Sequence, residues 1–194
     1  MMNAKTYLDH QVSELTSIKS AAESHFGELT DEQLNWQPTP GKWSISQNLE
    51  HLNITGKTYL NEIREAIKAG KNLESKGTAF KYSLLGKWFI KMMQPKSAFK
   101  VTTFKNIDPG PTFKGRQSLE EFLELQGTIN TFLEEAYTVD INRPKIQSPV
   151  FPLFKFKLGE AFEIVLTHEK RHLMQAQGVM KTLGFPTAKE AVNP

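Results

Sequence analysis

The stretch from Ser44 to Gly70 reads SISQNLEHLNITGKTYLNEIREAIKAG. Its apolar residues recur at three- and four-residue steps, so they share one face of a helix. They are Ile45, Leu49, Leu52, Gly56, Tyr59, Ile63 and Ile67. Ser44 and Gln47 have the spacing of a capping box, which predicts the helix start, and Gly70 is typical of a helix end. The stretch therefore predicts a long amphipathic helix with one buried face.

Three other stretches carry the same kind of pattern and predict three more long helices. The first is Ala4–Phe26, the third begins at Ser118 with Glu121 completing a capping box, and the fourth runs from about 158 to 183. A short helix is predicted at Asp31–Asn35. Four long amphipathic helices, with one long connection between the second and the third, predict an all-α four-helix bundle with a long crossover.

The connection between the second and third long helices is less regular. Within this insertion, at about 71–116, residues Phe80–Met93 predict a helix and Phe99–Phe104 an extended segment, while Asp108–Pro111 forces a turn. About 45 residues without a metal or disulfides are few for a separate core, so we expect the insertion to pack on the bundle. Residues 1–194 are therefore expected to form one domain.

Composition and charge restrict the class of protein. The chain has 194 residues, a net charge of +3 and no cysteine, which excludes disulfides and thiolate metal ligands and favours the cytoplasm. The charge surplus is small, so no nucleic-acid partner is expected. The most apolar run, Leu84–Met93, is short and contains Lys87 and Lys91, and Met1–His10 holds no apolar run of signal-peptide length. We therefore expect no membrane partner.

Histidines supply the candidate chemistry. His168 and His172 lie four residues apart on the fourth long helix, so their imidazoles stand on one face, one turn apart. His51 lies beside the apolar face of the second long helix and can complete a three-nitrogen site if these two helices are neighbours. Three neutral imidazoles suit zinc, nickel, copper or iron(II), and they leave a coordination position open for water or substrate. The alternative is that these histidines are hydrogen-bonded within the core.

The stretch His168–His172 also matches H-E-x-x-H, in which the Glu of zinc proteases is the general base. Glu169 is accordingly our candidate catalytic residue, although it points about 100° away from His168 around the helix and could instead be a solvated charge. A metalloprotease usually needs a third ligand downstream. Glu190, in a loose tail, is the sole acidic residue after His172, so we consider this alternative the weakest.

Two groups of motifs resemble the signatures of the DinB and YfiT-like superfamily. The first group is Trp36-Gln37-Pro38, Pro40-Gly41-Lys42-Trp43-Ser44-Ile45 and Leu49-Glu50-His51-Leu52, and the second is His168-Glu169-Lys170-Arg171-His172-Leu173 with Gln175. They occur in this order and span nearly the whole chain. The resemblance implies a four-helix bundle, often dimeric, that holds zinc or nickel through one histidine of the second helix and two of the fourth. These positions correspond to His51, His168 and His172.

The resemblance also implies classes of reaction. Members of the superfamily include S-transferases that use low-molecular-weight thiols such as bacillithiol or mycothiol, and proteins described as metal-dependent hydrolases. We therefore expect a metal-dependent enzyme that activates a water or a small thiol against a small-molecule substrate. The thiol must come from a small cofactor because the chain has no cysteine. A non-catalytic metal- or ligand-binding module is the alternative, since the same three ligands would serve it.

Two further expectations concern surroundings and assembly. His51 lies about two turns after Ser44, so the site should open next to the linker Trp36–Trp43, with one of its tryptophans within reach. On the third long helix, apolar residues spill beyond one face at Leu123, Leu125 and Phe132. Such residues either cover the insertion or pair two chains, and the second case predicts a homodimer.

Overall fold

A computed structural model of the protein describes residues 2–71, 79–97, 103–111 and 113–187. The helices are α1 Ala4–Phe26, α2 Asp31–Asn35, α3 Ile45–Gly70, α4 Leu84–Met93, α5 Arg116–Ala136 and α6 Leu158–Met180, with a 3₁₀ turn at Lys105–Ile107. Two short antiparallel strand pairs join β1 Met2–Asn3 to β2 Ala79–Phe80, and β3 Lys145–Gln147 to β4 Lys155–Lys157. The prediction of an all-α chain is confirmed.

The four long helices α1, α3, α5 and α6 form the predicted bundle. Helix α3 packs on α5 and α6, and α1 packs on the same two helices. Their facing sides bury large side chains such as Phe26, Phe122 and Phe162, each 0% exposed. Because α3 and α6 are neighbours, a residue of the second long helix can meet residues of the fourth.

Local capping signals place two helix starts as predicted. Ser44 Oγ accepts from Gln47 N at 3.1 Å, and Gln47 Oε1 accepts from Ser44 N at 3.1 Å, which completes the capping box of α3. Thr30 and Gln33 form the same reciprocal pair at the start of α2. In each case the side chains bind backbone N–H groups that the first helical turn leaves without partners.

The capping box predicted at Ser118 is wrong. Helix α5 begins earlier, at Arg116, and Ser118 is buried with its hydroxyl donating to the carbonyl of Gly115 at 2.7 Å. Gly115 has a φ of 53°, and its N–H donates to Asn35 Oδ1 and Ser46 Oγ. Contacts with distant segments therefore fix this helix start. The residues around Ser118 alone do not indicate it.

The end of α6 and the start of α4 differ from the sequence prediction, and the segment expected to be extended can be compared only in part. Helix α6 ends at Met180 rather than near residue 183, in turns that lead to Gly184 at a φ of 89°. Helix α4 begins at Leu84 because Ser83 Oγ accepts from the N–H of Gly86 at 2.9 Å, while the residues before it pair with the N-terminal strand. Most of the extended segment expected at 99–104 lies outside the described residues.

Helix α4 and the β3–β4 hairpin cover one side of the bundle. Helix α4 packs on α6 and β4, and in the hairpin Ile146 pairs with Phe156. Both residues are buried, at 1% and 0% exposure. The hairpin's connecting segment, residues 148–154, brings further aromatic side chains against α4. The insertion thus packs on the bundle and forms a wall of the cavity described below.

The residues that suggested a dimer are accounted for within one chain. Leu125 and Phe132 are buried, at 4% and 7% exposure, and Leu123 packs on the core. A homodimer stays a prediction, now without this support. Among the described residues, no helix combines the length and the apolar character needed to cross a membrane.

Candidate metal centre

Three imidazoles from two neighbouring helices converge at one point. His51 lies on the second turn of α3, and His168 and His172 lie on successive turns of α6. The ring centroids are separated by 5.1 Å between His51 and His168, 4.5 Å between His51 and His172, and 4.6 Å between His168 and His172. One nitrogen of each ring lies within 4.8 Å of the other two. The structure therefore brings together the three residues that the sequence singled out.

A backbone carbonyl from the insertion sets the tautomer of His51. Its Nδ1 lies 2.7 Å from the carbonyl oxygen of Ile107, at the end of the 3₁₀ turn. A carbonyl oxygen only accepts, so Nδ1 carries the proton and donates it. The Nε2 atom is then left with a lone pair, as a metal ligand requires. No residue pattern could have indicated this contact, because it involves a main-chain atom distant in sequence.

An asparagine performs the same task for His172. The Nδ1 atom of His172 lies 3.2 Å from Asn48 Oδ1, and Asn48 Nδ2 donates to the carbonyl of Ser44 at 2.8 Å. The second bond fixes the amide orientation, so the oxygen faces the imidazole and accepts its proton. Sequence reasoning missed Asn48, although it lies one turn before His51 on the same helix.

The nitrogens that face one another fit a cation. Nε2 of His51 and Nε2 of His168 are 3.2 Å apart. Two nitrogens on a tetrahedral zinc at 2.0–2.1 Å each lie about 3.3 Å apart. Without a cation, one of the two must carry a proton, because two lone pairs at this distance repel. The spacing and the outward hydrogen bonds therefore suit a divalent transition metal.

Burial keeps the three imidazoles in the neutral form that binds metals. Desolvation lowers the pKa of His51, although the Ile107 carbonyl and the charge of Asp108 partly oppose it. Desolvation, together with the charges of His51 and Arg171, lowers the pKa of His168 to about 3. The pKa of His172 is also well below its ordinary value, mainly through desolvation. At neutral pH none of the three imidazoles therefore carries a positive charge that would have to be lost before a metal binds.

Glu169 is buried, so its interpretation as a solvated charge is wrong. The residue is 1% exposed, and one carboxyl oxygen accepts from Gln126 Nε2 of α5 at 3.1 Å. Burial raises the pKa of the carboxyl to about 8, with the hydrogen bond from Gln126 opposing the rise. Metal-free protein therefore holds this group largely protonated at neutral pH. Glu190, the acidic residue downstream of His172 in the metalloprotease alternative, lies outside the described residues.

The three histidines stand in the wall of a large cavity. The cavity measures about 930 Å³ and is also lined by Glu169, Arg171 and Trp43, together with apolar residues of α4 and the hairpin. The ring of Trp43 lies 5.0 Å from that of His51 and 5.8 Å from that of His172, while Trp36 packs on Phe185 at 5.6 Å. The cavity thus adjoins the Trp36–Trp43 linker, with Trp43 as the tryptophan that lines it.

The position of Trp43 predicts a fluorescence signal. Adding Ni²⁺ or Cu²⁺ to metal-free protein should dim tryptophan emission, because these ions quench nearby indoles and Trp43 contacts two of the three histidines. The Trp43→Phe variant should lose most of this dimming, and Trp36→Phe should keep it. Equal dimming in the two variants would place the ion elsewhere.

A family model and a solved structure match this chain. The DinB superfamily model matches residues 14–176, a segment that contains all three histidines. The fold is similar to that of YfiT from Bacillus subtilis, described as a probable metal-dependent hydrolase with an unusual four-helix bundle topology. The two share 16% identity over 96% of this chain and 92% of that chain, with a TM-score of 0.57. No curated protein matches the sequence significantly. Because the family model covers most of the chain, this protein belongs to the DinB superfamily.

Proposed function

We propose that this protein is a metal-dependent enzyme whose single divalent transition ion, zinc or nickel, is held by His51, His168 and His172. The observation that carries the proposal is the convergence of three neutral imidazoles in a cavity wall, two of them with Nδ1 bound to an acceptor. Three nitrogen ligands leave a coordination position open, which is the pattern of catalytic rather than structural zinc sites.

Such an ion, when bound, lowers the pKa of a coordinated water or thiol and so supplies a nucleophile at neutral pH. The chain's own residues hold and enclose this site. The Ile107 carbonyl and Asn48 orient two imidazoles, and Trp43 packs against both rings. Glu169 is our candidate for holding a proton beside the reacting groups, since it lines the cavity and a pKa near neutrality suits acid–base exchange.

Two reaction classes fit this arrangement. The first is hydrolysis, and the description of YfiT as a probable metal-dependent hydrolase supports it. The second is transfer to a low-molecular-weight thiol, which would be a co-substrate because the chain has no cysteine. Both take a small-molecule substrate, and a cytoplasmic location would provide reduced thiols.

A non-catalytic metal- or ligand-binding module is the second candidate. The protonated state of Glu169 favours it, because a carboxyl with a pKa of about 8 is not an ionised base at neutral pH in the metal-free protein. A metalloprotease has less support. The carboxyl that would serve as its base is hydrogen-bonded to Gln126, and the third imidazole comes from α3 rather than from downstream of His172.

Turnover that depends on metal would test the proposal. Protein stripped by a chelator is reloaded with Zn²⁺ or Ni²⁺ and assayed with a panel of esters and amides, and with a small thiol plus an electrophile. We expect turnover only after reloading and its loss in His51→Ala. The matched control is His25→Ala, an exposed histidine on α1. Stoichiometric metal uptake without turnover on either panel would favour the binding module.

A further inference from the structure

An aromatic chamber adjoins the three histidines inside the cavity. We use this name for the part lined by Phe89 and Met92 of α4, by Phe104, and by Val150 and Phe151 of the hairpin connection. The ring of Phe151 lies 5.6 Å from that of Phe89 and 5.4 Å from that of Phe104. Phe89 is buried, at 1% exposure, whereas Phe104 remains 42% exposed. The chamber thus has a packed floor and a partly open rim.

The cavity is much larger than the proposed metal chemistry requires. A water molecule occupies about 30 Å³ in the liquid, whereas the cavity measures about 930 Å³. That volume lies within the range of roughly 300–1,000 Å³ found for sites that enclose whole organic ligands. A metal-bound water or thiol sulfur would fill one corner, so the remaining space must be accounted for by another part of the substrate.

The chemistry of the chamber walls restricts what that part can be. Aromatic rings and a methionine present no strong hydrogen-bond partner, so a polar group placed among them would lose its bonds to water without compensation. An apolar group, in contrast, is favoured by leaving water. These walls belong to the insertion, which includes α4, and to the hairpin connection, outside the four long helices. The walls therefore favour an apolar part of the substrate.

We infer that the substrate is a small amphiphile, whose aryl or alkyl arm binds in the aromatic chamber while its reacting polar group lies at the three histidines. This inference rests on the proposed function, because it assigns the reacting group to the same metal centre. Phe151 would be a specificity-determining residue, since it contacts both other rings of the chamber.

A series of straight-chain hydroxamates tests the inference. The hydroxamate group binds the metal, and the alkyl chain grows from aceto- to decanohydroxamate. Calorimetry on Zn²⁺-loaded protein should show the affinity rising by about two- to fourfold per added methylene, the upper value corresponding to about 0.8 kcal/mol for a fully buried CH₂. The increase should stop once the chamber is filled. Affinity independent of chain length would overturn the inference and leave the metal centre intact.

Matched variants locate the effect. Phe151→Ser should reduce the gain per methylene by at least half while leaving acetohydroxamate affinity unchanged, which also shows that the variant is folded. Leu153→Ser is the control, because Leu153 lies on the same connection but is 95% exposed. Val150→Trp should fill the chamber and end the increase at a shorter chain. Equal gains in wild type, Phe151→Ser and Val150→Trp would contradict the chamber.

Straight-chain alcohols separate failure of this inference from failure of the proposed function. They need no metal and are titrated into metal-free protein from ethanol to octanol. Chain-length-dependent binding of the alcohols that Phe151→Ser weakens, with no acetohydroxamate binding and long hydroxamates binding no more tightly than alcohols of equal chain length, would keep the apolar subsite and contradict the metal centre. If neither series binds more tightly with chain length, the chamber does not bind an apolar arm.

Discussion

Replacing His172 with alanine is expected to weaken Zn²⁺ binding by about a hundredfold. The imidazole of His172 is 9% exposed and its Nδ1 is bound to Asn48, so its Nε2 is held towards the other two rings. Zinc sites with four protein ligands bind with about 10–16 kcal/mol. Each ligand thus contributes roughly 3 kcal/mol, or about two orders of magnitude in affinity. Competition against a chelator of known affinity measures the loss.

The same substitution should remove most of a large thermal stabilisation. With free metal at about 1,000 times the dissociation constant, binding to the folded state adds about 4 kcal/mol to the free energy of unfolding. For a chain of this size, that corresponds to a rise in Tm of roughly 8–16 °C. His25→Ala should keep the rise, whereas His172→Ala, with metal at only about ten times its own dissociation constant, should keep roughly a third of it. If the two variants respond alike to zinc, the three-histidine site is wrong.

The sequence was sufficient for those features that depend on neighbouring residues. The bounds of α1 and α2, and the cap of α3, follow from residues within a few positions of each other, because apolar periodicity and capping boxes are local signals. The pairing of His168 with His172 is equally local, since a spacing of four always places two side chains on one helix face. That His51 meets them depends on α3 and α6 being neighbours. The spacing left this open, and the resemblance to the superfamily implied it.

Features that depend on distant segments could not be predicted. The start of α5 is set by Asn35 and Ser46 bonding the N–H of Gly115, and the tautomer of His51 by the carbonyl of Ile107. The aromatic chamber joins α4 to the hairpin, which are far apart in sequence. The burial of Glu169 is another feature of this kind. The sequence left open whether its charge is solvated, and its position beside Gln126 of α5 depends on a helix distant in sequence.

The polar atoms around Glu169 indicate which protonation state the fold accommodates. Glu169 Oε2 and Gln126 Oε1 are both buried without a hydrogen-bond partner among the described residues. A proton on Glu169 Oε2 would let the carboxyl donate to Gln126 Oε1, while Gln126 Nε2 already donates in the other direction. An ionised carboxylate cannot make the first bond, so burial and that bond favour the neutral acid, while the existing bond from Gln126 Nε2 favours the ionised form.

Replacing Glu169 with glutamine is therefore expected to stabilise the metal-free protein at alkaline pH. The pKa of Glu169 is about 8 in the folded chain, against an ordinary value of 4.5. Between these values the folded state holds a proton that the unfolded state has released, so the free energy of unfolding falls as pH rises. From pH 5 to pH 8 this loss amounts to roughly 3 kcal/mol. A glutamine, whose amide can exchange two hydrogen bonds with Gln126, has no such loss.

Urea unfolding of both proteins in chelator, at pH 5 and at pH 8, measures the difference. Groups other than Glu169, including the three histidines, titrate in both proteins, so their contributions cancel when the two pH dependences are subtracted. After this subtraction, the free energy of unfolding of Glu169→Gln relative to wild type should rise by about 3 kcal/mol from pH 5 to pH 8. The control is Glu120→Gln, an exposed residue on α5, which should follow wild type. Parallel pH dependences for wild type and Glu169→Gln would mean that Glu169 is ionised in the folded chain. Its raised pKa, and with it our proposal that it holds a proton beside the metal, would then be wrong.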